Sequence, residues 1–412
     1  NTFGSGLSGL GSIMDWNELY SGRVASMGHS DVAAMLKLAE RPEVISFAGG
    51  LPDPETFLLE ETRAVFEQVL TRMGTAALGY GPTHGITPLR EWLAGHMTRM
   101  GRPTETAECL ITTGGIAALD LICRVLLDPG DRVVVGEPAY LAALHVIRSH
   151  QARFVGVPLD DAGMQPDLLE AQLHRLKQQN LRAKFIYLVP SFQNPAGVTL
   201  PEERRRAIVD TAARHGVPIV EDAAYRDLRF EGQAPPLLAS LDPGVIHINT
   251  LSKVFNPGVR IGWTTAPRPL IETLALAKQG QDQCSSTIGQ YVAHAFASQG
   301  LIDRQRKRAV HIYRRKRDVM LSALERHMPA RARWTRPEGG FYTWVTLPEP
   351  MDTEALLPRA IEEAGVAYGA GPAFYHDRGG KNHMRLSYSY ASDDRIQEGI
   401  KRLGEMLRTV AE

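Results

Sequence analysis

Between residues 109 and 267 the chain alternates short apolar runs with longer stretches of helical periodicity. The runs at 109–112, 132–136, 153–157, 185–189, 219–221, 245–249 and 260–264 are predicted to be strands, several of them rich in Val and Ile. Between them, 116–127, 140–149, 165–178 and 201–215 are each long enough for a helix. Apolar strands that alternate with helices imply βαβ units, so an α/β fold with a mostly parallel central sheet, sandwiched by helices, is expected. Ligands of such sheets sit at the carboxyl ends of the strands.

Beyond Gly300 the pattern changes. A long helix is predicted over 301–328, then strand-like pieces around Trp334 and at 341–345, a helix over 352–364, a strand at 384–387 and a closing helix from about Ser392. This reads as a smaller α+β domain. Arg304, Arg306, Lys307, Arg308, Arg314, Arg315, Lys316 and Arg317 crowd the long helix, which raises the question of a nucleic-acid surface. Val310, Tyr313, Met320, Leu321 and Leu324 recur on it at helical spacing, so the charges are read as its solvated side. The expected plan is a flexible arm over 1–30, an N-terminal part of the small domain over 31–63, a large domain over 64–300 and the C-terminal small domain over 301–412.

Composition mainly excludes. At 412 residues the chain is long enough for two domains with substantial cores. Its 46 basic and 46 acidic residues balance, which argues against a nucleic-acid binder. Cys109, Cys123 and Cys284 form neither a paired framework nor a CxxC spacing, so no metal is expected and a reducing cytoplasm fits. No apolar run reaches the roughly 18 residues that span a bilayer, so no membrane contact is expected. The Gly/Ser-rich opening, 1–11, has no basic start and no long apolar centre, and reads as an arm rather than a signal peptide.

Chemistry enters with Asn249-Thr250-Leu251-Ser252-Lys253-Val254-Phe255-Asn256-Pro257-Gly258-Val259-Arg260. A lysine that is desolvated near a fixed cation loses part of its preference for the charged form and becomes a nucleophilic amine for a carbonyl cofactor. Thr250, Ser252 and Arg260 can together hold a phosphate, which makes Lys253 the candidate Schiff-base residue. The other reading is a surface lysine in a turn-rich loop. Thr112-Thr113-Gly114-Gly115-Ile116 ends a predicted strand and opens a helix, so its N–H groups can receive a phosphate; a plain tight turn is equally open. Neither GxGxxG nor GxxxxGK[ST] occurs at this turn, which lowers the nicotinamide and nucleotide readings. Pro190-Ser191-Phe192-Gln193-Asn194-Pro195-Ala196-Gly197 puts Asn194 just past a strand's end. In Ile219-Val220-Glu221-Asp222-Ala223-Ala224-Tyr225 an acid closes a buried strand, where an unpaired carboxylate is costly. A partner cation such as a protonated pyridine nitrogen would answer it, although Asp222 alone also reads as a helix N-cap.

Taken together, these segments resemble the fold-type I pyridoxal-phosphate aminotransferases of class I/II, within them the group around 2-aminoadipate and related amino-acid transaminases. The likeness runs from about Val44 to the C-terminus. Its marks, in the family's order, are Ser46-Phe47-Ala48-Gly49-Gly50-Leu51-Pro52, Gly79-Tyr80-Gly81 with Gly85 and Leu89-Arg90, Thr113-Gly114, Pro138 with Tyr140, the 191–197 loop, Asp222 with Tyr225, Ser252-Lys253 with Arg260, Pro337-Glu338-Gly339-Gly340-Phe341, and Arg385-Leu386-Ser387-Tyr388. The resemblance implies pyridoxal 5'-phosphate as cofactor, with Lys253 as its anchor and then the base that moves the Cα proton. It implies Asp222 at the pyridine nitrogen, Asn194 and Tyr225 at the ring 3-oxygen, and Tyr140 on the ring face. Gly114, Gly115, Ile116, Thr250, Ser252 and Arg260 would hold the phosphate, with Tyr80 reaching it from a partner subunit of a homodimer. Arg385 would clamp the substrate α-carboxylate, near Asn194, while Gly49 and Gly50 bring backbone close to it.

The chain departs from the pattern in two places. Relatives often show Ser-Gln where it has Gly115-Ile116, so only backbone donors remain there. The helix expected over about 30–40 has no arginine to meet a distal carboxylate, which points away from acidic side chains and toward apolar or aromatic donors, with Arg23 upstream as the one candidate exception. The expected reaction is ping-pong transfer of an amino group from an amino acid to a 2-oxo acid. The rivals are a lyase or decarboxylase on the same fold, and a non-catalytic amino-acid sensor, for whose winged-helix module the roughly 40 residues before Val44 are too few.

Overall fold

The computed structural model describes residues 14–27 and 43–411. The arm read at 1–11 and the helix expected over about 30–40 lie outside the described residues. Within the rest of the expected arm, Trp16–Leu19 and Gly22–Met27 are short helices.

After the two-residue strand β1 (Ile45–Ser46), eight strands build one sheet: β2 (Cys109–Thr112), β3 (Arg132–Glu137), β4 (Arg153–Asp160), β5 (Gly163–Met164), β6 (Ala183–Leu188), β7 (Ile219–Asp222), β8 (Ile246–Thr250) and β9 (Gly262–Thr265). Their order is β2-β9-β8-β7-β6-β3-β4-β5. From β8 through β4 all neighbours pair in parallel; β9 is antiparallel to both β8 and β2, and β5 to β4. Helices Gly115–Leu126, Leu141–Ser149, Pro166–Gln178 and Glu202–His215 follow the predicted positions closely. The last predicted strand starts two residues late, at Gly262, because Arg260 adopts a left-handed backbone (φ 55°) that a strand cannot contain. Helices Leu59–Met73, Thr87–Arg99, Arg268–Gln279 and Thr287–Ser298 are additional to those read from the pattern.

β4 lies on one side of β3 and β6 on the other, so the chain reverses its progress across the sheet at β3. Such a reversal opens a crevice at the strands' carboxyl ends. A second, antiparallel sheet, ordered β10-β11-β14-β13, comprises β10 (Arg333–Trp334), β11 (Tyr342–Thr346), β13 (Gly369–Ala370) and β14 (His383–Ser387). β1 pairs in parallel with β12 (Val366–Ala367), which ties the chain's early part to its end.

The long helix Leu301–His327 packs along the closing helix Asp393–Ala411. Arg304, Lys307, Arg308, Arg314 and Arg315 are exposed, as read. Lys316 and Arg317 correct that reading, because both are buried. Lys316 pairs with Asp53, and Arg317 with Glu231 at 2.6 Å and the Pro337 carbonyl at 2.7 Å. These two charges are interior ties rather than solvated surface.

Arg205, one turn into helix Glu202–His215, is fully buried. Its guanidinium donates to the carbonyls of Leu200, Pro236 and Pro190 and to the Ser191 hydroxyl, all at 2.8 Å. It thereby holds both ends of the 190–200 segment that carries Asn194. Arg205→Met leaves the Leu200 and Pro236 carbonyls and the Ser191 hydroxyl without this donor, while the Pro190 carbonyl keeps the Leu200 N–H, so it is expected to destabilise the protein by about 3 kcal/mol or more in urea unfolding. A change within experimental error would mean that the segment holds itself.

Candidate active site

Lys253 leaves β8 in a single 3-10 turn, Leu251–Lys253, closed by Thr250, whose hydroxyl oxygen accepts from the Ser252 N–H at 3.1 Å. The Thr250 hydroxyl also lies 2.9 Å from that of Ser252. Lys253 Nζ donates to the Gly50 carbonyl at 3.0 Å and stands over the rings of Tyr225 and Phe341, at 5.6 and 5.2 Å from their centroids. Burial first, then the Arg385 charge, lowers its pKa to about 8 against the pull of Asp222. A fraction of the amine is thus neutral near neutral pH, and that fraction grows steeply as pH rises toward 8.

Asp222 ends β7. Burial raises its pKa despite hydrogen bonds from the Tyr187 hydroxyl at 2.8 Å and the Ala224 N–H at 3.1 Å. Its neighbour Glu221 faces the other way, as alternation along a strand requires. Burial alone would raise Glu221, but His247 at 3.1 Å and the N–H groups of Leu238 and Ala239, at 2.9 and 3.1 Å, hold it below the usual range. Of the two acids, only Asp222 is left needing a cation.

Asn194 and Arg385 meet where the two sheets adjoin. Arg385, on β14, is buried and donates through Nη1 to Asn194 Oδ1 at 2.8 Å and through Nη2 to the Ala48 carbonyl. Its guanidinium lies 4.3 Å from the Tyr342 ring centroid and 4.8 Å from that of Phe374. Asn194 Nδ2 is buried and finds no partner among the described residues, so the amide has a donor to offer a ligand. The Tyr225 hydroxyl is 3.0 Å from that of Tyr342. A Cβ on Gly50 would stand 1.8 Å from the Tyr342 oxygen, so only glycine fits; Gly49 precedes it in the same loop. Tyr140 follows β3 at the start of helix Leu141–Ser149, and burial keeps its phenol protonated by raising its pKa.

The third cluster is cationic. Helix Gly115–Leu126 begins without a side-chain cap, so the N–H groups of Gly115 and Ile116 can serve a ligand. Arg260 donates to the carbonyls of Pro257 at 3.2 Å and Thr113 at 3.3 Å. Gly114 (φ 90°) makes room for it, because a Cβ there would lie 2.5 Å from Arg260 Nη2. Helix N-terminus, guanidinium and the Ser252 hydroxyl form a cradle suited to a phosphate. A carboxylate in need of a cation, a neutral amine and this cradle together fit pyridoxal phosphate: ring nitrogen, aldehyde and phosphate each find a chemical complement.

The predicted residues gather here with one exception. Tyr80 is 88% exposed, on a segment that abuts Thr287 through Gly81. Sequence reasoning missed Tyr187, which holds Asp222, and Tyr342, which Gly50, Tyr225 and Arg385 all approach. A phenol in the otherwise aliphatic end of β6 was the available signal for the first; for the second, an aromatic next to the Gly339-Gly340-Phe341 motif.

The family model described as aminotransferase class I and II matches residues 42–403. Aromatic-amino-acid aminotransferase 1 of Thermococcus litoralis is 42% identical over 398 residues, 96% of this chain and 95% of that protein. The crystal structure of Pyrococcus horikoshii kynurenine aminotransferase, in complex with PMP, KYN and KYA, is similar with a TM-score of 0.93 at 41% identity, covering 97% of this chain and 99% of that one. LysN, the alpha-aminoadipate aminotransferase of Thermus thermophilus, complexed with N-(5'-phosphopyridoxyl)-L-leucine, gives 0.89 at 35% identity, with 97% and 99% covered. The chain belongs to the class I and II aminotransferases and is an enzyme that uses pyridoxal phosphate to transfer amino groups.

Proposed function

We propose that this aminotransferase takes the α-amino group from a broad set of apolar and aromatic amino acids and passes it to a 2-oxo acid in a ping-pong cycle. The observation that carries the donor class is the aromatic wall around the site's two cations: Tyr342 and Phe374 against Arg385, Tyr225 and Phe341 against Lys253. The names of two of those relatives, for aromatic amino acids and for kynurenine, support it, while LysN is named for an acidic donor.

Lys253 would bond to the cofactor's aldehyde and, once displaced, take the proton from the substrate Cα and deliver it to the carbon that had been the aldehyde. Asp222 would face the ring nitrogen, Asn194 and Tyr225 the 3-oxygen, and Tyr140 would cover the ring. Bound pyridoxal phosphate supplies the sink for the electron pair left at Cα. Gly114, Gly115, Ile116, Thr250, Ser252 and Arg260 would receive the phosphate. Arg385 would grip the substrate α-carboxylate, with Asn194 beside it and Gly49 and Gly50 admitting the backbone of the substrate. Tyr80 would reach the phosphate of a second copy, and the exposed apolar side chains of Leu59, Leu70, Met73 and Leu78 leading up to it favour a homodimer. Three free cysteines suit a cytoplasmic setting.

Lys253→Ala is expected to cut turnover by about a thousandfold or more, the order of a lost general base, in assays without added amine. Normal turnover would sink the mechanism. Because the folded pKa of Lys253 is depressed to about 8, the apoprotein should capture pyridoxal phosphate faster as pH rises, with a midpoint near 8. The same sign makes burying this lysine a stability cost below pH 8 that fades as pH rises toward the ordinary lysine value. A midpoint at that ordinary value would show the amine to be solvated. In a panel of amino donors, Arg385→Gln should raise KM for all of them by roughly tenfold to a hundredfold without reordering the panel, since only the shared α-carboxylate is lost. Selective loss of one donor class would place Arg385 at the side chain instead.

A further inference from the structure

Arg260 is steadied by carbonyls alone among the contacts of its guanidinium described above, and one of them belongs to Thr113. Thr113 is itself held from below: its hydroxyl donates to Asp282 Oδ2 at 2.9 Å and lies 3.3 Å from the Ser285 hydroxyl. Asp282 in turn receives Lys278 Nζ at 2.5 Å. The Lys278 side chain is completely buried, although lysine ammonium groups are seldom buried without a purpose-built partner. The chain folds to provide one, because the N–H groups of Gln281, Asp282 and Gln283 all turn back onto the Lys278 carbonyl at 3.0, 3.1 and 3.2 Å.

We propose that Lys278, Asp282 and Thr113 form a positioning relay for the phosphate cradle. It rests on the reading that this cradle holds the cofactor's phosphate. Asp282 orients Thr113, so that the Thr113 carbonyl fixes Arg260 and the backbone enters Gly114, Gly115 and the helix at the right angle. A bare carboxylate at this point would repel a phosphate dianion. Lys278 cancels that charge, which is why a carboxylate is tolerated one residue from an anion site. None of the three touches the reacting atoms; they act through the cradle.

The test is the affinity of the apoprotein for pyridoxal phosphate and for pyridoxal, which lacks the phosphate, by absorbance titration alongside thermal unfolding. Lys278→Met should weaken pyridoxal phosphate binding by about tenfold or more while leaving pyridoxal unchanged, since it leaves the partly exposed Asp282 carboxylate uncancelled beside the cradle. Lys278→Met/Asp282→Asn should recover most of the loss. Equal weakening of both ligands, or a lowered melting temperature with both affinities intact, would overturn the relay and leave a structural ion pair. Arg260→Gln is the control: selective loss of pyridoxal phosphate in it but not in Lys278→Met overturns the relay alone, and loss in neither overturns the phosphate reading with it. Should Lys278→Met not fold, Asp282→Asn and Asp282→Ala carry the test. The amide still accepts from Thr113 and should keep pyridoxal phosphate affinity close to the parent, the alanine should lose it selectively, and equal behaviour of the two would overturn the proposal.

Discussion

Partial dehydration of the space where β6, β7 and β8 end is the constraint from which the chemistry follows. Two cations, Lys253 and Arg385, share that space with one carboxylate, Asp222. In water each would keep its ordinary proton affinity. Here burial outweighs the attraction of Asp222 at Lys253, and it outweighs two hydrogen bonds at Asp222 itself, so both groups are pushed toward neutrality. A guanidinium is a permanent cation. The same dehydration therefore yields a nucleophilic amine, a carboxylate that gains by meeting a cation, and a permanent anion receptor. Glu221 shows that burial is not enough by itself: two backbone donors and His247 stabilise its charge, and it takes no part.

Two of the strained backbone positions lie where these groups are delivered. Arg260 and Phe192 hold positive φ angles of 55° and 51° without being glycine, each a cost of about 1–2 kcal/mol. In both cases neighbouring glycines make the space. Gly114 admits the Arg260 guanidinium, and Gly339 and Gly340, where a Cβ would lie 2.4 and 2.6 Å from Phe192 atoms, admit the Phe192 side chain. Phe192 is fully buried under Arg229, whose guanidinium sits 4.7 Å from its ring centroid. The strained turn thus fixes Asn194, two residues on, through packing that a relaxed loop would forgo.

Much of this was legible in the chain. Strand ends could be read because near-continuous Val and Ile runs stop at Asp222, before Asn194 and before Lys253, and polar residues at such ends face the crevice. What could not be read depends on partners distant in sequence. Tyr187 looks like one more strand residue until Asp222 is seen beside it. Lys316 and Arg317 continue a basic run, and only Asp53, Glu231 and the Pro337 carbonyl explain their burial. β12 and β13 are two residues each, too short for any periodicity, and exist because β1 and β14 present ladders to them. The late start of β9 has the same origin, since Arg260 bends toward Thr113 rather than obeying its own strand propensity.

The two sheets contribute to one site, and the contacts between them decide how much must move for a substrate to bind. Phe230 N–H donates to the Glu338 carbonyl at 2.8 Å and Gly340 N–H to that of Leu228 at 3.0 Å, so the 228–230 and 338–340 segments pair like a short ladder. Arg317 adds an ion pair to Glu231 and a hydrogen bond to Pro337 across the same seam. Ser387 N–H meets the Phe47 carbonyl at 2.9 Å, which sets the 47–50 loop against β14. Arg385 is therefore positioned before any carboxylate arrives, with its plane set by Tyr342 and Phe374 and its N–H groups parked on Asn194 and Ala48. Exchanging those neutral acceptors for a charged carboxylate strengthens the hydrogen bonds while ordering little new chain, and a receptor whose geometry is already set keeps more of that gain as affinity.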